Sequence, residues 1–129
     1  MSFEKDLKDF ALKFDGVSDD FIDSVELELF SAIIKDTPVD TGLLRNNWVI
    51  SKGRASTQTR KSTSRTGAAS TGAVRAYVSR EKGPRLTWFA NNLEYAANVE
   101  FGIGYVRKRP GRMVRKNVAR FKSIVNRAL

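Results

Sequence analysis

Thr37-Pro38-Val39-Asp40-Thr41-Gly42-Leu43-Leu44-Arg45-Asn46-Asn47-Trp48 ends one element, turns the chain and starts another. Pro38 has no amide donor and drives Thr37 out of helical angles, so a helix must stop here. Asp40 can accept backbone hydrogen bonds two residues on, and Gly42 can take positive φ without a Cβ clash, which together make a turn. Trp48 follows at once, in a strand predicted over residues 47–51.

Upstream, Ser18 is a good N-cap and Asp19 and Asp20 suit the positive end of a helix dipole. Phe21, Ile22, Val25, Leu29, Ile33 and Ile34 then form one apolar stripe, so a helix is predicted over residues 19–36. Leu27 and Phe30 widen that stripe, one side for the core and the other for a subunit contact. Earlier still, Phe3, Leu7, Phe10, Ala11 and Phe14 recur at helical steps, which predicts an amphipathic helix over residues 3–14 ended by Asp15-Gly16.

Downstream, Val74, Ala76 and Val78 alternate, predicting a strand over residues 73–79, and residues 87–91 read as a third strand. The expected architecture is α+β: a small antiparallel sheet packed by the long helix of the N-terminal half and by a basic C-terminal helix. Residues 51–73 between the first two strands are rich in Ser, Thr and Arg with no apolar anchor, so they read as a flexible basic hairpin loop. The loop becomes ordered against a neighbour or along DNA, or is a disordered tip. A second notable stretch, Tyr95-Ala96-Ala97-Asn98-Val99-Glu100-Phe101-Gly102, precedes Arg107-Lys108-Arg109-Pro110-Gly111-Arg112. Met113, Val114, Val118, Phe121, Ile124 and Val125 then form the stripe of the final helix, with Pro110 suited to its first turn.

The order of these parts resembles the neck, or tail-completion, proteins of long-tailed phages, including the lambda-type minor tail protein Z. The resemblance rests on Thr-Pro-Val-Asp-Thr-Gly-x-Leu-Arg closing a helix, and on Tyr-Ala-x-x-Val-Glu-Phe-Gly before a basic helix, and it covers residues 20–125. The insert from Ser51 to Ala73 is a departure from shorter members. Membership would imply a structural virion protein, assembled in the host cytoplasm, that forms a ring at the head-to-tail junction. The ring would join head-completion or connector proteins to the tail terminator or tube, and would line the DNA channel. A hexamer is the first expectation and a dodecamer the second. On that reading Asp40, Arg45, Trp48, Tyr95, Glu100 and Phe101 form the subunit or partner interface. Arg54, Arg60, Lys61, Arg65, Arg107, Lys108, Arg109 and Arg112 contact channel DNA or an acidic partner.

Charge and composition narrow the chemistry. The chain has 129 residues, fitting a single domain over 1–129, and a net charge of +9. The charge is split: residues 1–44 hold four Lys against eleven acids, and residues 45–129 hold nineteen Lys and Arg against three Glu. Such a molecule suits a basic surface facing nucleic acid, or head-to-tail contact between copies, the acidic helical side of one meeting the basic or aromatic side of the next. Glu100, one of those three acids, is expected to pair with an Arg within the subunit or across an interface, or to be solvated.

There is no histidine and no cysteine, which removes imidazole and thiol chemistry. No phosphate-binding glycine motif is present, and Asp19, Asp20, Asp23, Glu26 and Glu28 read as dipole and solubility residues. The expectation is therefore no enzyme, no cofactor and no metal. The N-terminal residues do not read as a signal peptide, and no apolar run approaches the ~20 residues that span a bilayer. The alternative function is a non-specific nucleic-acid-binding domain. Trp48→Ala is expected to damage folding, whereas charge reversal at Arg45 or Glu100 is expected to weaken assembly and leave the protomer folded.

Overall fold

The computed structural model describes residues 9–13, 19–39, 42–101 and 112–128, with backbone alone at 9–13, 124 and 126–128. Strand β1 (Asp9–Lys13) is followed by helix α1 (Asp19–Asp36), a 3-10 turn (Arg45–Asn47) and strand β2 (Trp48–Lys52). Helix α2 (Ala68–Arg80), strand β3 (Leu86–Asn91), helix α3 (Ala96–Phe101) and helix α4 (Met113–Ala128) complete the order. The fold is α+β, as its sequence pattern predicts. Strand β3 lies in the middle of a three-stranded sheet of order β1-β3-β2, antiparallel on both sides.

Helix α1 buries Ile22, Val25, Glu26, Leu29, Phe30, Ile33 and Ile34, a set with the three- and four-residue spacing of one helical face. Phe30 lands on the sheet, its ring stacked on Phe89 at 4.3 Å, and Trp48 lies against Phe89 at 5.0 Å and nearly parallel. Register places Ile50 opposite Phe89, so these two share the face that α1 covers, and pairs Phe10 with Phe89 along the other edge. Helices α2 and α4 pack on the flanks of α1, and Leu44, Val74, Tyr77, Met113, Val114 and Phe121 close the same core. A second small cluster joins Ile22 and Val25 to Phe21 and Val125, so α4 runs antiparallel to α1.

Two elements differ from expectation. Residues 9–13 form a strand, not the middle of a helix; the rest of the segment 3–14 lies outside the described residues. Phe10, Ala11 and Leu12 are a continuous apolar run that fits either period, and ladder pairing with β3 selects the extended form. Residues 73–79 belong to α2, not to a strand. Ser70, Val74, Tyr77 and Val78 are its buried residues, a helical set, while Ala76 is exposed. Val74, Ala76 and Val78 alternate as in a strand, but Tyr77, the largest group on the buried face, falls between them and completes the helical set.

The segment before α2 consequently joins a strand to a helix and is no hairpin. Helix α2 begins at Ala68, five residues before the expected end of the loop at residue 73, after Gly67 at φ 73°. A Cβ on Gly67 would lie 2.6 Å from Cγ of Arg45 and 2.8 Å from Cγ2 of Ile34, so this position needs glycine for space as well as for angle.

Candidate functional site

The basic loop, residues 53–67, is tied along its length by polar side chains that bind its backbone. Asn47 is fully buried; its Oδ1 accepts from the Arg60 amide at 2.7 Å, and its Nδ2 donates to the Arg60 carbonyl at 3.0 Å and the Leu43 carbonyl at 2.7 Å. One side chain thus satisfies both backbone groups of Arg60, as a neighbouring strand would. Asn46, also fully buried, donates to the carbonyls of Ser64 (2.6 Å) and Gly42 (2.8 Å) and accepts from the Ala69 amide at 3.0 Å. Asn92 donates to the carbonyls of Ser56 and Gln58 at 2.8 and 2.9 Å.

Arg45 completes the clamp. Its guanidinium donates to the carbonyls of Lys35 (2.9 Å), Thr37 (3.0 and 2.7 Å) and Arg65 (2.8 Å). The first two belong to the C-terminus of α1, where carbonyls lack helical partners and the dipole is negative, so a cation is well placed there. Trp48 anchors the other side: Nε1 donates to Thr37 Oγ1 at 2.9 Å, and that hydroxyl donates to the Ile33 carbonyl at 2.7 Å. Gly42 sits at φ 86°, and a Cβ there would fall 2.3 Å from the Thr63 carbonyl oxygen. The turn residue therefore also lets the loop come close. Asp40, its expected companion, lies outside the described residues.

The loop and α2 together cover the start of the free edge of β2. Trp48 donates its amide to Ser70 Oγ at 3.0 Å, and its carbonyl accepts from Ser70 Oγ and from Arg60 Nη1 at 2.8 Å. On the opposite face of the sheet from Phe89, Trp88 is half-buried and donates Nε1 to the Gly53 carbonyl at 3.1 Å. At Trp48 the outward backbone groups are thereby taken and cannot pair with another chain.

Of the expected DNA or acidic-partner residues, Arg54, Lys61 and Arg65 are exposed, and no carboxylate among the described residues comes within ion-pair distance of them. Arg60 is a correction. Its guanidinium bonds the carbonyls of Asn46 and Trp48 at 3.1 and 2.8 Å, and burial pulls its pKa below the ordinary arginine value. It builds the loop and does not offer its charge. Arg112 is exposed, at φ 53°, just before α4; Arg107, Lys108, Arg109 and Pro110 lie outside the described residues.

The second motif has an equally structural role. Glu100 is fully buried, and its carboxylate accepts from the amides of Val114 and Arg115 at 3.0 Å each. It supplies α4 with an N-terminal cap from another helix and sets a negative charge at the positive end of the dipole. Arg115 then donates Nε to the carboxylate at 3.1 Å and Nη2 to the Glu100 carbonyl at 3.0 Å, the expected pairing with an Arg, made within the subunit. The Arg115 guanidinium also lies 4.3 Å from the centroid of the Phe101 ring.

These contacts correct part of the expected interface. Trp48 and Glu100 are 1% and 0% exposed, so neither presents its side chain to a partner. Arg45 is half-buried and spent on carbonyls. Tyr95 and Phe101 are half-buried and pack against the core. Charge reversal at Arg45 or Glu100 would break the fold and not only assembly, because each charge compensates backbone groups inside the protomer.

A buried ionic cluster, of which the sequence gives little sign, joins α1 to the start of β3. Arg85, with no side-chain exposure, donates to Glu26 Oε1 through Nε (3.1 Å) and Nη2 (2.5 Å), and to Asp23 Oδ1 at 2.9 Å. Thr87 donates its hydroxyl to Glu26 Oε2, and Tyr77 shares a hydrogen bond with Thr87 at 2.7 Å. Burial works against the Arg85 charge, but the bonds to Glu26 and Asp23 outweigh it and raise its pKa. Burial likewise raises the Tyr77 pKa, partly offset by the Thr87 bond. Glu26 is thus a core residue of α1; the sole available signal was its place at helical spacing between Ile22, Val25 and Leu29. Every member of the cluster has a protein partner, which fits a structural bolt between α1, α2 and β3. Among the described residues no group of three or more His, Cys, Asp or Glu could hold a metal ion, and no helix is long and apolar enough to cross a membrane.

Comparison with protein-family models, curated proteins and solved structures finds no match in any of the three.

Proposed function

We propose that the protein is a structural component of a long-tailed phage virion, assembled in the host cytoplasm. In this reading it forms a ring at the neck that joins head-completion or connector proteins to the tail terminator or tube and lines the DNA channel. The observation that carries the reading is the ordered pair of neck-like motifs at 37–48 and 95–102. Their residues hold the two basic segments in place: Arg45, Asn46 and Asn47 bind the loop, and Glu100 caps α4.

The chemistry agrees with a channel wall. Arg54, Lys61 and Arg65 offer charge without acidic partners among the described residues, and such cations attract phosphate without reading bases. Genome that must slide is better served by this than by specific contacts. The same exposed cations favour the second reading, a non-specific nucleic-acid-binding domain.

Deleting the gene from its phage tests the proposal. The expected result is filled heads and finished tails that remain separate in electron micrographs and join when the protein is supplied from a plasmid. Normal virions from the deletion would refute the neck reading, and salt-sensitive duplex binding by the monomer would then favour the second.

A further inference from the structure

Helix α1 turns a second stripe away from the core: Asp20, Ser24, Leu27 and Glu28, all exposed and spaced as one helical face. Leu27, 36% exposed, is the exposed large hydrophobic side chain among the described residues. Neither Asp20 nor Glu28 has a cation within ion-pair distance among those residues. Beside it, α4 contains no acid in its whole length and exposes Lys116, Ala119, Arg120, Lys122 and Ser123. Lys116 reaches Asp36 at 3.1 Å, but no described carboxylate lies within ion-pair distance of Arg120 or Lys122.

We infer that the α1 stripe of one copy docks on the outer face of α4 of a second copy. The inference rests on the ring reading above and names its subunit contact. The two stripes have opposite charge, similar length and one small apolar element each, Leu27 and Ala119. Within a chain the two helices run side by side and leave Asp20, Glu28, Arg120 and Lys122 without ion-pair partners among the described residues, whereas a second copy brings acid to base. The contact joins two different surfaces, which is the heterologous kind that closes into rings. Opposite charges at its rim would speed association and fix its register, with the Leu27 contact at its centre.

The chain has no cysteine, so single-cysteine cross-linking is clean. Leu27→Cys and Ala119→Cys variants are mixed and oxidised, and the native mass of the wild-type protein is recorded in parallel. The inference expects a disulfide dimer in the mixture at about ten-fold the yield of either variant alone, the contrast expected of a specific charge-matched contact. In addition, Glu28→Lys should dissociate the assembly and Glu28→Lys with Lys122→Glu should restore it. Preferred Leu27→Cys self-linking, or an oligomer with no mixed cross-link, overturns this interface while leaving the ring standing. A wild-type monomer that gives no mixed cross-link overturns the ring as well.

Discussion

The loop at 53–67 and helix α4 are both strongly basic, yet they reach their places by different physics. The loop has no apolar residue to bury beyond small ones, and buried amides and guanidinium groups hold its carbonyls and amides one by one. Helix α4 satisfies its own backbone and docks through Met113, Val114 and Phe121, with Glu100 capping its first turn and Asn117 and Lys116 bound to Asp36 of α1. A polar segment can thus be ordered without a core of its own when a rigid neighbour supplies the hydrogen bonds.

The largest expected effect removes what both regions share. Trp48→Ala takes away the ring stacked on Phe89 and the donor to Thr37, and should destabilise the fold by about 3–5 kcal/mol in urea unfolding. A variant as stable as wild type would break the account of the hub. Next, Glu100→Gln should cost about 1–3 kcal/mol, since a buried acceptor of two helix amides loses its charge. Hydrogen exchange should rise in the first turns of α4 and stay unchanged in the loop.

Asn47→Ala should produce the converse pattern, at about 1–2 kcal/mol, with faster exchange around Arg60 and an unchanged α4. Uniform exchange in either variant would show that the two regions are not held separately. The smallest effect concerns acid. Burial works against the Asp36 charge, yet the hydrogen bonds from Asn117 and Lys116 outweigh it and hold its pKa below the ordinary value. A depressed carboxylate pKa adds stability above the unfolded value that is lost as pH falls through the folded one. Asp36→Asn should therefore narrow the stability gap between pH 7 and pH 3, and an unchanged gap would contradict the assignment.

The parts legible in sequence were those with an uninterrupted period. For α1 the sequence signals are the apolar stripe from Phe21 to Ile34 and Pro38 just past its end, and β2 begins at the tryptophan that follows the turn. Glu26, Arg85, Asn46, Asn47 and Asn92 were not legible, because a buried polar residue is recognised by its partner, and these partners lie far away in the chain. Arg60 shows the same limit: a cation in a basic run reads as surface charge until the carbonyls it binds are known. Strand β1 was hidden because its period was ambiguous and only pairing with β3 decided it.

Native mass spectrometry of the purified protein, alone and after mixing with the phage's tails, decides whether the chain assembles into a ring. A six-fold species, or failing that a twelve-fold one, is expected free in solution or bound to tails, in keeping with a closed heterologous ring. A monomer under both conditions would contradict it.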